Sequence, residues 1–155
     1  MLRDQLARAL AWHEAHATFD DAVGGLAPEL RGRRPQGFSH SAWELVEHLR
    51  VAQHDLLDFC RNPKYKEMKW PDDYWPRGPE PPTAKAWDES VAAYQRDRLD
   101  FEALTRDPKI DLDAQIPHGT GQTYAREILL AIDHAAYHVG QLVSVRRALG
   151  AWPGG

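Results

Sequence analysis

Two histidines four residues apart, His134 and His138, are the residues whose type and spacing point most directly to chemistry. They lie in a stretch, residues 123–149, without proline or a run of turn residues, so the pattern predicts one uninterrupted helix. On a helix this spacing puts both imidazoles on one face, about 6 Å apart along the axis, with converging side chains. Two neutral ring nitrogens in this arrangement can bind one metal ion.

A histidine pair leaves a metal ion short of ligands, because zinc and transition metals take at least three protein donors. His48 is the candidate third donor. It lies beside the apolar stripe of a predicted second helix, with Glu44 one turn before it and Asp55 two turns after it. A hydrogen-bonded core histidine is the alternative, but packing of this helix on the last one would bring three imidazoles into one cleft.

The side chains that could orient these imidazoles are Gln141, Glu44, Asp55 and Glu127. Gln141 is the first choice, because it lies one turn past His138 on the same helix face. Three neutral ligands leave the charge of a divalent ion uncompensated, so a water or thiol at the open position is acidified. Imidazole accepts several metals, and we expect zinc or nickel, with iron as a third option.

Composition limits the partners and the compartment. A net charge of -4 and a pI near 6.0 lack the basic excess of nucleic-acid-binding proteins. Charges interrupt the N-terminal residues, and no apolar run approaches the roughly 18 residues of a membrane span, so we expect a cytoplasmic protein without a membrane partner. Arg146 and Arg147 are predicted to be solvated charge at a helix end, and the arginines of residues 31–34 to be solvated charge in a loop.

The elements that position the histidines follow from apolar periodicity. The chain of 155 residues is predicted to be one all-α domain, residues 1–155, folded as a four-helix bundle. The predicted helices span residues 2–23, 41–60, 83–104 and 123–149. Ser41 and Glu44 form a capping box at the start of the second helix, and Thr83 is the expected cap of the third.

A long crossover loop, residues 61–82, joins predicted helices 2 and 3. It contains six prolines, but also Tyr65, Trp70, Tyr74 and Trp75, whereas disordered linkers avoid aromatic residues. We therefore expect it to pack over the bundle as a lid or crossover. A long crossover also lets the third helix run in the same direction as the second.

The predicted fourth helix has a second apolar face, opposite the histidines. With small Ala136 and Gly140 allowing close approach, this face predicts a homodimer through helix 4, unless residues 61–82 cover it instead. Its residues are Ala125, Leu129, Ile132, Ala136, Val139 and Val143.

Other candidate sites are weaker. His13 and His16 could mimic a ligand pair, but no partner is spaced to complete a site with them. The single cysteine, Cys60, excludes an internal disulfide and is expected to be a buried small residue rather than a nucleophile. Paired Glu-x-x-His motifs of ferritin-like proteins and the His-Glu-x-x-His motif of zinc proteases are absent from the sequence.

In element order, nearly the whole chain resembles the DinB/YfiT-like family of small four-helix-bundle proteins. The segments that carry this resemblance are Ser41-Ala42-Trp43-Glu44-Leu45-Val46-Glu47-His48-Leu49, His134-Ala135-Ala136-Tyr137-His138-Val139-Gly140-Gln141-Leu142 and Arg146-Arg147-Ala148-Leu149-Gly150-Ala151-Trp152-Pro153. The resemblance implies a divalent-metal site at His48, His134 and His138, and a homodimer. Ala135 departs from the asparagine of many members, and a contact to substrate or to a ligand is lost there.

Three functions remain open. Some members of the resembling family are thought to use a low-molecular-weight thiol, which implies a metal-dependent transferase acting on a small-molecule substrate. A metal-dependent hydrolase is the second hypothesis, with Glu44, Asp55 or Glu127 as the general acid or base. The third is a non-enzymatic bundle that binds metal or a partner protein.

Overall fold

The computed structural model describes residues 2–153, and regular structure in that range is helical apart from one isolated antiparallel bridge between Gln115 and Thr123. Five α-helices follow one another within these residues: α1 (Leu2–Ala9), α2 (Phe19–Val23), α3 (Ala42–Arg61), α4 (Ala86–Arg106) and α5 (Tyr124–Ala148). A short 3-10 helix, Pro28–Leu30, lies between α2 and α3. The predicted all-α class is confirmed.

The helix that carries His48, α3, begins where the capping box predicts. The Ser41 hydroxyl accepts a hydrogen bond from the Glu44 backbone N–H at 3.2 Å, and the Glu44 carboxylate accepts one from the Ser41 N–H at 2.8 Å. Two amides that would lack a partner at the helix start are thereby satisfied. This reciprocal pair fixes where the first turn of α3 begins.

The helix that carries His134 and His138, α5, runs unbroken for 25 residues. Its start is capped by Thr123, whose hydroxyl accepts a hydrogen bond from the Arg126 N–H at 3.2 Å. Just beyond its end, Gly150 has a φ of +68°, which side chains disfavour. The prediction of one long helix over residues 123–149 is confirmed.

The prediction of one continuous first helix over residues 2–23 is wrong. α1 ends at Ala9, and α2 starts separately after Thr18. Thr18 and Asp21 form a capping box, with the Thr18 hydroxyl accepting from the Asp21 N–H at 3.1 Å and the Asp21 carboxylate accepting from the Thr18 N–H at 2.9 Å. Aspartate replaces the usual Glu or Gln of this motif, but it supplies the same reciprocal bonds and starts a new helix.

α2 covers the C-terminal part of the second apolar face of α5. Val139 and Val143 are buried in one core with Phe19, Ala22 and Val23 of α2. From the sequence, we expected either a second subunit or residues 61–82 to cover this face. Because α1 ends early, at Ala9, the chain instead forms the separate helix α2, which packs there. The large apolar side chains of α5 that stay exposed are Leu129, Leu130 and Tyr137.

Arg146 is not solvated, so that prediction is wrong. Its side chain is 2% exposed, and it donates hydrogen bonds at 2.8 Å to the carbonyls of Ala22, Gly24 and Ala151. The last carbonyls of a short helix lack intrahelical partners, and the guanidinium supplies several donors at once. Arg146 therefore ties the end of α2 to the end of α5, whereas Arg147 is exposed as expected.

α3 and α4 run in the same direction. Ser90 donates a hydrogen bond to Glu47 at 2.7 Å near their starts, and Arg61 donates one to Asp100 at 2.8 Å near their ends. The connection of residues 62–85 therefore returns the chain to the beginning of α3. The prediction that Thr83 is the cap of this helix is wrong, because α4 starts at Ala86 with Lys85 at the cap position. The Thr83 hydroxyl still accepts a hydrogen bond from the Ala86 N–H at 3.1 Å.

One helix of the described residues, α5, is long and apolar enough to cross a bilayer on length and composition alone. The core helix of a soluble protein meets the same criterion. The buried Glu127, His138 and Arg146 on α5 each contact polar groups of this chain, as core residues do.

Candidate metal centre

Three imidazoles from two helices meet at one point. The Nε2 atom of His48 on α3 lies 3.0 Å from Nε2 of His134 and 3.1 Å from Nε2 of His138, both on α5. The three donor atoms all lie within 4.8 Å of one another. His48 and His138 are buried, and His134 is half-buried. The four-residue spacing on α5 thus gives the converging pair, and α3 supplies the third ring.

Hydrogen bonds fix which ring nitrogen carries the proton in two of these histidines. His48 Nδ1 donates to the backbone carbonyl of Tyr74 at 2.9 Å, and His138 Nδ1 donates to the side-chain oxygen of Gln141 at 2.7 Å. Because a carbonyl oxygen can only accept, each Nδ1 must bear the hydrogen. A neutral ring then presents the lone pair of Nε2 to the cluster.

The rings are neutral at physiological pH. Burial lowers the pKa of His48 to about 4 and that of His134 to about 4, and it lowers the pKa of His138 as well. Each imidazole also disfavours a positive charge on its neighbours. The three rings are therefore uncharged, which is the state that a metal ion requires of its histidine ligands.

The spacing of the donor atoms fits a single ion. With Zn–N bonds of about 2.0–2.1 Å, two ligands of a tetrahedral site stand ~3.3 Å apart. The separations of 3.0 and 3.1 Å from His48 Nε2 are close to that value. Two lone pairs at this distance repel each other, and either a shared hydrogen or a metal ion between the nitrogens relieves the repulsion. The donor set is therefore compatible with a divalent ion.

A tryptophan from the connection of residues 62–85 forms one wall of the centre. The Trp75 ring stacks on His48 with centroids 3.8 Å apart and planes 1° apart, and it also stacks on His40 at 4.1 Å. The connection packs onto α3, as its aromatic residues predict. It thereby shields one face of the His48 ring from water.

A family model described as the DinB superfamily matches residues 6–142. The chain belongs to the DinB superfamily. The matched span contains all three histidines, and DinB membership together with this cluster fits a metal-binding protein. Comparison with the curated proteins and with the solved structures gives no significant match.

Two of the carboxylates expected near the three histidines form ion pairs with arginines. Glu44 accepts from Arg34 through both oxygens, one of them at 2.8 Å, in addition to capping α3. Glu127 is 2% exposed and pairs with Arg126. The group of close donor atoms contains neither of them.

Asp55 is also outside the group of donor atoms, but it has a different kind of partner. Its two oxygens accept hydrogen bonds from the hydroxyls of Tyr65 at 2.8 Å and Tyr74 at 2.6 Å. Among the four residues expected to orient the imidazoles, Gln141 makes a direct contact, and Asp55 reaches His48 through Tyr74.

A cleft of about 510 Å³ opens beside this DinB centre, on the side of Gln141. Phe38, His40, Tyr137 and Ser144 line it together with Gln141, so it combines aromatic surface with hydroxyl, amide and imidazole groups. Tyr137 lies edge-on to His138, with ring centroids 4.9 Å apart. A small molecule in this cleft would contact groups that adjoin the three histidines.

Three groups at the centre were not singled out from the sequence. Two of them could have been found: Trp75 from the aromatic content of its connection, and His40 from its position directly before the Ser41 capping box. The role of the Tyr74 carbonyl could not be predicted, because every residue has a backbone oxygen and the sequence does not show which of them accepts a hydrogen bond.

Other candidates from the sequence stay outside the centre. Burial raises the pKa of the Cys60 thiol to about 12, so it is a core side chain, as expected, and not a thiolate nucleophile. His13 is exposed and its Nε2 lies 3.9 Å from Asp21 Oδ2. His13 and His16 take no part in the cluster of donor atoms.

Proposed function

We propose that this chain is a metal-dependent transferase that uses a low-molecular-weight thiol, with zinc or nickel, and iron as a third option, at the three histidines. The observation that carries the proposal is the convergence of three uncharged imidazoles without a carboxylate among them. Such a set leaves the double charge of an ion unbalanced, which favours an anionic partner such as a thiolate.

The architecture proposed for the chain is the four-helix bundle of the DinB superfamily with a crossover between its second and third helices. α1 and α2 together fill the place of the first helix, followed by α3, α4 and α5. Support comes from the parallel run of α3 and α4, which a tight turn between them would forbid.

A divalent ion bound at the histidines would supply Lewis acidity and lower the pKa of a thiol that reaches it. The other residues of the site would orient the histidines, exclude water and bind the substrate. Gln141 holds the ring of His138, and Trp75 keeps water from one face of His48. Tyr137 and Ser144 line the cleft and would bind polar groups of a small-molecule substrate, while Phe38 would offer it a flat apolar surface.

The hydrolase hypothesis needs a free carboxylate near the histidines, to act as the general base. Glu44 and Glu127 are paired with arginines, and Asp55 accepts two tyrosine hydroxyls. Because these partners occupy all three carboxylates, the site favours the thiol-dependent reaction over hydrolysis.

Metal content of purified protein tests the proposal. We expect about one equivalent of divalent metal per chain in the parent, by mass spectrometry, and none in His48→Ala or His134→Ala. His54→Ala is the matched control, because His54 also lies on α3 but bonds to Asp97 away from the cluster. No metal in the parent, even after addition of zinc or nickel, would refute the metal function.

The thiol requirement is tested with the metal-loaded parent. An electrophilic substrate should be consumed only when a low-molecular-weight thiol is added, and His134→Ala should abolish the reaction. Turnover without thiol would identify a hydrolase. Full stabilisation by metal without turnover of any substrate would identify a structural site.

We also propose a cytoplasmic homodimer that pairs through α5. The surface left for it is the exposed strip with Leu129, Leu130 and Tyr137. Light scattering on the parent and on Leu130→Lys tests this: the parent should have the mass of two chains and the variant the mass of one.

A further inference from the structure

The carboxylate of Asp55 ties two distant points of the connection of residues 62–85 to α3. Asp55 is 9% exposed, and each of its oxygens accepts one hydroxyl, from Tyr65 and from Tyr74. Hydrogen bonds to a charged acceptor are about twice as strong as neutral ones. Burial and the nearby carboxylate raise the pKa of both tyrosines, so both hydroxyls stay protonated and keep donating at neutral pH.

Tyr74 also contacts the histidine centre, through its backbone. Its carbonyl accepts the Nδ1–H of His48 at 2.9 Å, and the next residue, Trp75, stacks on the same ring. His138 is held differently, by Gln141 on its own helix. The orientation of His48 therefore depends on a connection between helices, and that of His138 does not.

We propose that Asp55 is a positioning residue for His48, acting through Tyr74. By holding the Tyr74 side chain, it keeps the Tyr74 carbonyl in place, which fixes the proton on Nδ1 and directs the Nε2 lone pair into the cluster. A long connection is mobile unless side-chain contacts hold it, so the carbonyl alone would be a poor partner. The role deepens the proposed metal function, and only the zinc measurement below rests on that function.

Two tyrosine variants form a matched pair. Tyr74→Phe removes the hydroxyl that binds Asp55 but leaves the carbonyl at position 74. Tyr65→Phe removes the other hydroxyl on the same carboxylate and leaves residue 74 untouched. Asp55→Asn keeps the size of the side chain and removes its charge, so the three variants separate the effect of position 74 from general loosening of the connection.

The first measurement needs no metal. Long-range ¹H–¹⁵N spectra of metal-free protein at neutral pH report which nitrogen of each histidine ring is protonated. The parent and Tyr65→Phe should show His48 only with the proton on Nδ1, whereas Asp55→Asn and Tyr74→Phe should show a mixture of both forms. His138 should be unchanged throughout. An unchanged His48 in Asp55→Asn and Tyr74→Phe, or a parent without the Nδ1–H form, would overturn the proposal.

The second measurement is zinc affinity by competition with a chelator. Asp55→Asn and Tyr74→Phe should bind zinc about tenfold more weakly than the parent, as loss of groups that orient metal ligands does. Tyr65→Phe should stay within a factor of about two. Equal losses in both tyrosine variants would overturn the role of Tyr74. A parent that binds no zinc would overturn the metal function, while the spectra would still decide the role of Asp55.

Discussion

The side chain of Gln141 decides which nitrogen of His138 carries the proton. Its oxygen accepts from Nδ1 at 2.7 Å, while its amide donates to the Tyr137 hydroxyl at 3.2 Å. Gln141→Leu removes the acceptor, so zinc affinity should fall by about tenfold, measured by competition with a chelator. Gln141→Glu keeps an acceptor and should retain the affinity. Equal affinities of the Leu and Glu variants would contradict this role.

At the scale of elements, the start of α3 depends on an ionised Glu44. Burial alone would raise the pKa of Glu44, but the hydrogen bonds from Arg34 and from the Ser41 N–H hold it below its usual value. The unfolded chain therefore binds the proton more readily, so stability from this group is present above the unfolded pKa of about 4.3 and is lost as the pH falls through the lower folded value.

Glu44→Gln tests this linkage. At pH 7 the variant should be about 1–3 kcal/mol less stable in urea unfolding, because the charge-assisted bonds from Arg34 are lost, although Gln can still accept the Ser41 N–H in the capping box. The difference from the parent should shrink as the pH is lowered below about 4. Exposed Glu14→Gln is the control and should match the parent at every pH. A Glu44→Gln difference that is independent of pH would contradict the linkage.

The junction of α2 and α5 rests on a buried cation, Arg146, which donates hydrogen bonds to backbone carbonyls of both segments. Arg146→Met keeps the volume but leaves the carbonyls of Ala22, Gly24 and Ala151 without donors, so the free energy of unfolding should fall by about 2–4 kcal/mol. Arg147→Met, one residue along and exposed, should change it by less than about 0.5 kcal/mol. Urea denaturation of the two variants measures both. Similar effects would show that Arg146 acts only as surface charge.

For the whole molecule, the sequence predicted correctly those features that depend on residues close together in the chain. The all-α class, the capping box of α3, the length of α5 and the converging His134 and His138 follow from spacing and from local hydrogen bonds. The break between α1 and α2, the burial of Arg146 and the anchoring of residues 62–85 by Asp55 depend on contacts between distant segments. Such contacts involve backbone carbonyls and tertiary packing, which override local propensity and leave no periodic pattern.

A metal ion at the three histidines would link α3 to α5, and with them the connection that carries Trp75, so its effect should extend to the whole fold. At a free zinc concentration 100 times Kd, binding stabilises the native state by about 2.7 kcal/mol. For a chain of this size that corresponds to a rise in Tm of about 5–10 °C. Thermal unfolding should show this rise in the parent and in His54→Ala, and none in His48→Ala or His134→Ala. Because the Trp75 ring stacks on His48, tryptophan emission should change with zinc in the same two proteins that gain stability. A rise in Tm that persists in His134→Ala would mean that zinc binds the folded chain elsewhere, and the two helices would then not share an ion.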